Sequence, residues 1–354
     1  MPRSEALLAA LRLVAPGTAL REGMERIIQA RMGALIVVGA GPEVLSLCSG
    51  GFLLDAEFTP PRLSELAKMD GAIILTSDCS RIVRANVHLV PDPSIPTSET
   101  GTRHRTAERV ARQIAVPVVT VSEDRSEVAI HVRMLKRSIE PTPRVLARAD
   151  QALQILERYR TRLDSVSASL SALEVEDLVT LRDVASVLQR AEMVRRISEE
   201  IEGYVIELGA DGRLVLLQLE ELMSGVAADR RLVAKDYSVA FHDAELVQVM
   251  ERLSHLDDDS LLDPLLVLGA LGLPPVLELD AGAQPRGFRL MHKIPRLPEA
   301  VSDHVVDRFE NLQKIMRASE ADLVQVEGVG DARAKTIKDG LTRIAESSIL
   351  DRYP

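Results

Sequence analysis

Lys68-Met69-Asp70-Gly71-Ala72-Ile73-Ile74-Leu75 is the stretch on which the fold turns. An amphipathic run from Pro61 (Leu63, Leu66, Ala67, Met69) gives way to small residues and then to an apolar strand, so the segment reads as helix, tight turn, strand. Asp70 therefore sits at a corner where Gly71 and Ala72 let a ligand approach the backbone. Upstream, Gly33-Ala34-Leu35-Ile36-Val37-Val38-Gly39 is a β-branched run bounded by glycines. It reads as a strand, with Val44-Leu45-Ser46-Leu47-Cys48 as an adjacent antiparallel strand across the Gly41-Pro42 turn. Gly50-Gly51-Phe52 then opens a loop. Two helices broken at Pro16-Gly17 are expected over residues 5 to 32, and strands over 73–76, 82–85, 118–121 and 128–132. With a helix from Thr106 to Ala115 between them, these elements make an α/β domain, a mixed sheet flanked by helices that ends near residue 137.

Glu140-Pro141-Thr142-Pro143 marks a boundary, because closely spaced prolines interrupt any continuing element. From Arg144 to about Leu222 the pattern is helical, with Leu146, Leu153, Leu156, Leu163, Leu178, Leu181, Val184 and Leu188 as core positions and breaks at Gly203 and at Gly209–Gly212. A helix from Asp243 to Leu253, a Leu-rich stretch from Ser260 to Leu273 and Pro274-Pro275 lead on to Pro285. The last region carries Leu323-Val324-Gln325-Val326-Glu327-Gly328-Val329-Gly330-Asp331-Ala332-Arg333-Ala334-Lys335, which parses as helix, glycine hairpin, helix. Gly328 and Gly330 permit positive φ there and leave backbone N–H groups open to a phosphate. Lys293-Ile294-Pro295-Arg296-Leu297-Pro298 reads as a degenerate partner hairpin. The chain thus divides into an α/β domain (1–138), an all-α middle domain (139–285) and an all-α helix-hairpin-helix domain (286–354).

The net charge of −10 excludes a chain that coats nucleic acid by bulk charge. Any such binding must be local. From Pro285 onward there are 12 Lys and Arg against 11 Asp and Glu, which leaves 31 against 42 in the remainder. The C-terminal piece is therefore electrostatically separate. Cys48 and Cys79 are the two cysteines, too few for a disulfide framework, and read as inert buried thiols in a reducing compartment. No stretch approaches the ~18 consecutive apolar residues of a membrane span, and Met1–Glu5 does not lead into an apolar run, so a cytoplasmic protein without a membrane partner is expected.

The second chemical motif is Glu99-Thr100-Gly101-Thr102-Arg103-His104-Arg105-Thr106-Ala107-Glu108-Arg109. Alone, an Asp-Gly-Ala corner is usually a plain turn and a lone histidine a structural one. Three basic or titratable side chains after Thr-Gly-Thr at a helix start have no evident structural purpose, whereas a triphosphate needs charge neutralisation and fixed donors. Asp70 and this cluster together point to a nucleotide site. His88, His131, His242, His255, His292 and His304 form no metal-ligand spacing with the cysteines and read as structural or surface groups. For the glycine hairpin the plain reading is a helix connection; Arg333 and Lys335 beyond it favour DNA. The leucines of the middle region read as core.

Lys68–Ala72, Ala85-Asn86-Val87-His88-Leu89 and Glu99–Arg109 resemble the diadenylate cyclase (DAC) domain family. With the helical middle and the glycine hairpin, the whole chain is similar to that family's DNA-integrity-scanning members. The resemblance implies condensation of two ATP into cyclic di-AMP with loss of two pyrophosphates, by cyclase domains facing each other in a homo-octamer. It also implies a cytoplasmic, nucleoid-associated protein whose terminal domain binds branched or damaged DNA through Gly328, Val329, Gly330, Arg333 and Lys335, lowering cyclase activity. Asp70 would hold a divalent metal, Mg2+ or Mn2+, and help activate the ribose 3'-hydroxyl; Gly71 would leave room for the sugar, with Ala72 beside it in the ATP-binding set. Thr102, Arg103, His104 and Thr106 match phosphate positions, Arg105 completes the motif, Ser122 matches a further phosphate contact, and the Leu89 backbone meets the adenine edge. Asp70, Arg103, His104 and Arg105 are the expected catalytic set. Glu123-Asp124-Arg125 departs from the more basic run of some members. A nucleotide-sensing but non-catalytic DNA-binding protein is the alternative; a hydrolase is disfavoured because no Gly-x-x-x-x-Gly-Lys-Ser/Thr loop is present.

Overall fold

The computed structural model describes residues 5–123, 127–239, 242–274 and 278–352. Packing divides the chain into two compact units, Met1–Gln151 with Glu200–Gln218, and Ala152–Glu199 with Leu219–Pro354. In the first, strands β1 (Ala34–Val38), β2 (Cys48–Ser49), β3 (Phe52–Glu57), β4 (Ala72–Leu75), β5 (Arg81–Leu89), β6 (Val118–Val121), β7 (Val128–Val132) and β8 (Leu135–Ile139) form one mixed sheet. Its order is β2-β5-β4-β1-β6-β7-β8, with β3 also paired to β5. β1 runs parallel to β4 and antiparallel to β6.

Helices α1 (Glu5–Leu13), α2 (Ala19–Gln29) and α4 (Pro60–Leu66) cover one face; α3 (Pro42–Ser46) and α5 (Thr102–Ile114) cover the other. Side chains alternate accordingly along β1: Ala34, Ile36 and Val38 join one core, Leu35 and Val37 the other. Burial on both faces is what makes the strand a continuous apolar run.

Several expectations are corrected. Val44–Cys48 is not a strand: Pro42 occupies the first turn of α3, where its missing N–H costs nothing, and Gly41 is the N-cap. The partners of β1 are thus β4 and β6. Phe52 begins a strand rather than a loop. β3 is an irregular strand with Asp55 at φ 44° and a register shift between Leu53 and Ala56, and its Phe52, Leu53 and Leu54 are exposed, so it lacks the alternation that marks a half-buried strand. The sheet runs on to Ile139, β5 extends through Leu89, and α5 begins four residues before Thr106.

The all-helical remainder comprises α6 (Thr142–Glu176), α7 (Leu181–Leu208), α8 (Arg213–Met223), α9 (Val226–Tyr237), α10 (Asp243–His255), α11 (Asp258–Leu262), α12 (Pro264–Ala270), α13 (Phe288–His292), α14 (Glu299–Phe309), α15 (Leu312–Arg317), α16 (Glu320–Val324) and α17 (Asp331–Arg352). α7 passes through Gly203 without a break. Leu178, expected in the core, is exposed because Asp177 in the left-handed region ends the preceding helical path. Pro275 lies outside the described residues.

Two turns in the second unit share one geometry, 32 residues apart (294 to 326). In the first, Leu297 N–H donates to Ile294 O (3.4 Å) and Ser302 N–H to Pro298 O (3.1 Å); in the second, Val329 N–H donates to Val326 O (3.0 Å) and Ala334 N–H to Gly330 O (2.9 Å). Arg296 (φ 63°) and Gly328 (φ 82°) take the same left-handed position, and one core encloses both turns.

Candidate active site

A cavity of about 540 Å³ opens in the first unit beside the ends of β1, β4, β5 and β6 and the start of α5. Asp70, Gly71 and Ala72 reach it from the corner after α4, Leu89 from β5, Thr102, Arg103, His104 and Thr106 from α5, and Ser122 from the end of β6. The two motifs separated by thirty residues thus meet. Arg103 Nη2 lies 3.7 Å from Asp70 Oδ1. Arg105 is exposed and does not line the cavity. Leu35, Val87 and Val121 supply an apolar wall, and His88, expected as a structural or surface group, also lines it. Of the Glu123-Asp124-Arg125 run, Glu123 lines the cavity; Asp124 and Arg125 lie outside the described residues.

Each side chain is delivered by a local device. Gly71 sits at φ 114°, and a Cβ there would lie 2.8 Å from the Asn86 carbonyl carbon, so the corner presenting Asp70 accepts only glycine. The Asp70 side chain is fully exposed. α5 starts at Gly101, an N-cap with no side-chain hydrogen bond, so its first N–H groups remain open toward an anion. No acid stands in that first turn.

The approach to α5 is stapled down by its own second and third turns. Buried Glu108 accepts from Thr97 Oγ1, from Ser98 N–H (3.0 Å) and from Arg112. Arg109 Nε donates to Ile95 O (3.0 Å) and Arg112 Nη1 to Pro96 O (2.6 Å). Burial pushes the Glu108 carboxyl up, but the hydrogen bonds from Thr97 and Ser98 and the Arg112 charge outweigh it and hold it below its ordinary range. Beneath α5, His131 is buried with neither ring nitrogen hydrogen-bonded; burial, then Lys136, lowers its pKa to about 4, so it is neutral.

Gly33, just before β1, read in the sequence only as the boundary of an apolar run. The Arg103 guanidinium lies on it: a Cβ at Gly33 would be 2.0 Å from Nη1 and 2.8 Å from Cζ. Only the folded position of Arg103 exposes that requirement.

Among the described residues, no three His, Cys, Asp or Glu side chains converge as a metal cage. One carboxylate beside a cationic turn fits a divalent ion bound jointly by protein and substrate phosphates, the usual arrangement for Mg2+. Cys48 and Cys79 are free and half-buried; burial raises both thiols, Cys79 to about 11.

In the second unit, Gly328, Gly330, Arg333 and Lys335 are exposed, while the Val329 side chain is buried and its N–H is spent on Val326 O. Arg333 Nη1 donates to Gly328 O (2.6 Å), bracing the turn. No helix among the described residues is long and apolar enough to cross a membrane.

Residues 21–134 match the model of the DisA bacterial checkpoint controller nucleotide-binding family, and residues 139–279 that of the DisA bacterial checkpoint controller linker region. The chain is similar to the DNA integrity scanning protein DisA of Streptomyces avermitilis (54% identical, covering 98% of this chain and 93% of the relative). It is also similar to the proteins of that name from Frankia alni (53%, 99% of each) and Kineococcus radiotolerans (54%, 99% and 98%).

Proposed function

The chain belongs to the DisA family and is a diadenylate cyclase, and from that premise we propose that it condenses two ATP into cyclic di-AMP with release of two pyrophosphates. The observation that carries this reading is the approach of Arg103 to Asp70 across a cavity lined by the N-terminus of α5. One triphosphate laid along α5 meets the open N–H groups and the side chains of Thr102, Arg103, His104 and Thr106, with Ser122 opposite. Leu35, Val87 and Leu89 form the apolar side that suits an adenine.

Asp70 reaches the ribose end and accepts the proton of the 3'-hydroxyl as that oxygen attacks phosphorus. A divalent ion, Mg2+ or Mn2+, held by Asp70 and the phosphates would lower the cost of forming the alkoxide. Arg103 and His104 neutralise the charge that builds on departing pyrophosphate. Arg105, outside the cleft, joins them only as part of the family motif. One cleft holds one ATP, so ring closure requires two clefts facing each other, each 3'-oxygen in line with the opposite α-phosphorus. A homo-octamer supplies such pairs.

We read the two matching turns of the second unit as a helix-hairpin-helix pair that binds branched DNA, with the amides of Gly328 and Gly330 and the charge of Lys335 on phosphates. A cytoplasmic, nucleoid-associated location follows from that reading. The test of the cyclase is to incubate the full chain with ATP and Mg2+ or Mn2+ and resolve the products by chromatography. Cyclic di-AMP and pyrophosphate are expected, lost on Asp70→Asn with the assembly intact. Bound but unconverted ATP would make the domain a sensor, and a nucleoside diphosphate would make it a hydrolase. DNA should lower turnover: a four-way junction at saturation is expected to slow cyclisation, and an unchanged rate would remove the coupling.

A further inference from the structure

A second cavity, of about 320 Å³, lies wholly within the second unit, between α6, the 293–298 turn and α17. Its polar lining is one-sided. Lys293 turns its ammonium onto Ser171 Oγ (2.8 Å), and no carboxylate lies within salt-bridge distance of it among the described residues. The nearby acids are engaged elsewhere. Glu174 receives Arg289 Nη2 (2.7 Å) and the Tyr237 hydroxyl (2.9 Å); Asp229 receives the Ser167 hydroxyl (3.0 Å) and lies 3.7 Å from Arg289 Nη1. Ser171 Oγ gives its own proton to Ser167 O and accepts from both Arg289 and Lys293, so both its lone pairs are filled. Partial desolvation of the exposed Lys293 side chain, then the Arg289 charge, holds its ammonium below the ordinary range against the smaller opposing pull of Asp229 and Glu174.

The opposite wall is one face of α17, where Gly340, Arg343 and Ser347 recur at helical spacing. Gly340 brings that face in: a Cβ there would lie 3.0 Å from Ile294 Cγ1 and Cγ2. Arg343 donates only to the Asp339 carbonyl (3.3 Å) and has no carboxylate partner among the described residues. An ammonium, a guanidinium and a hydroxyl thus border one cavity with no acid in its lining, a donor set suited to a tetrahedral oxyanion.

We propose that this cavity is an anion site, separate from the cyclase cleft, that binds a phosphate-class group through Lys293, Arg343 and Ser347. A free polyphosphate such as pyrophosphate and a phosphodiester of bound nucleic acid share that chemistry. The site stands independently of the cyclase reading, because none of its residues belongs to the cleft.

The test is calorimetric titration of the full chain with inorganic pyrophosphate, beside the Lys293→Gln, Arg343→Gln double variant and Arg103→Ala. Two classes of sites are expected in the parent chain. The double variant should weaken one class at least ten-fold while leaving the other, and Arg103→Ala should do the reverse. A parallel measurement follows duplex DNA affinity against salt: if the occupant is a backbone phosphate, the double variant lowers the slope by about one, the value for one neutralised phosphate. A pyrophosphate change alone assigns the free anion, and a slope change alone assigns nucleic acid. If the isotherm and the salt slope both match the parent, the proposal is overturned. Arg343→Gln alone, at an exposed helix position, reads the same two quantities should Lys293→Gln unfold the chain.

Discussion

At Gly33 the Cα is covered by the Arg103 guanidinium, so a single methyl group there would occupy the place of Nη1. Arg103 is thereby aimed at Asp70 by a residue that never touches substrate. Gly33→Ala should leave the fold intact and lower kcat/KM roughly ten- to hundred-fold, the range of about 1.5–3 kcal/mol for losing a charge-assisted contact. The discriminating readout is a double-mutant cycle: in an Arg103→Ala background Gly33→Ala should cost nothing further. Additive losses would show that glycine acts elsewhere. The meeting of Asp70 and Gly71 with Thr102, Arg103, His104 and Thr106 at one cavity was legible because their chemistry is written in residue type and order; that Arg105 would stay outside it was not. Gly33 was not, since nothing local marks a glycine whose requirement comes from a side chain seventy positions away.

Among the elements, β1 was legible from its β-branched run because both its faces are covered. α3 was not, because Gly41-Pro42 serves equally as a hairpin turn or as the start of a helix, and only packing of Val44 into the core decides. α5 carries the largest share of the site, and His131 beneath it makes its seating pH-sensitive. The imidazole binds a proton near pH 6.5 when unfolded but only near 4 when buried, so the unfolded chain takes up protons first as pH falls. Stability from this group is full above 6.5 and lost progressively toward 4. Between pH 7 and 5 the loss should be about 2 kcal/mol, read by denaturant unfolding. His131→Leu should flatten that part of the profile relative to the parent. An unchanged profile would mean that the imidazole finds a partner in solution.

For the whole molecule, the sequence pattern told helical from mixed regions; the family matches over 21–134 and 139–279 divide near its first boundary, while the compact units cut the chain differently. The junction near 139 falls inside the first unit and that near 285 inside the second, because residues 200–218 pack with the sheet domain and the middle helices share a unit with the C-terminal turns. Contacts between segments so far apart in sequence leave no periodicity to read. Two-fold pairing of clefts is likewise a property of an assembly. Its proposal here rests on stoichiometry: one nucleotide to a cleft and two bonds to make.

That pairing is tested most directly by co-expressing the parent chain with the Asp70→Asn variant at set ratios and measuring total cyclic di-AMP formation at a fixed total concentration of subunits. If two facing carboxylates are required for each ring, total product falls as the square of the parent fraction, so half-and-half mixing leaves about a quarter of the activity. A linear fall, with half the activity remaining, would mean that each cleft completes the reaction alone and would contradict the account.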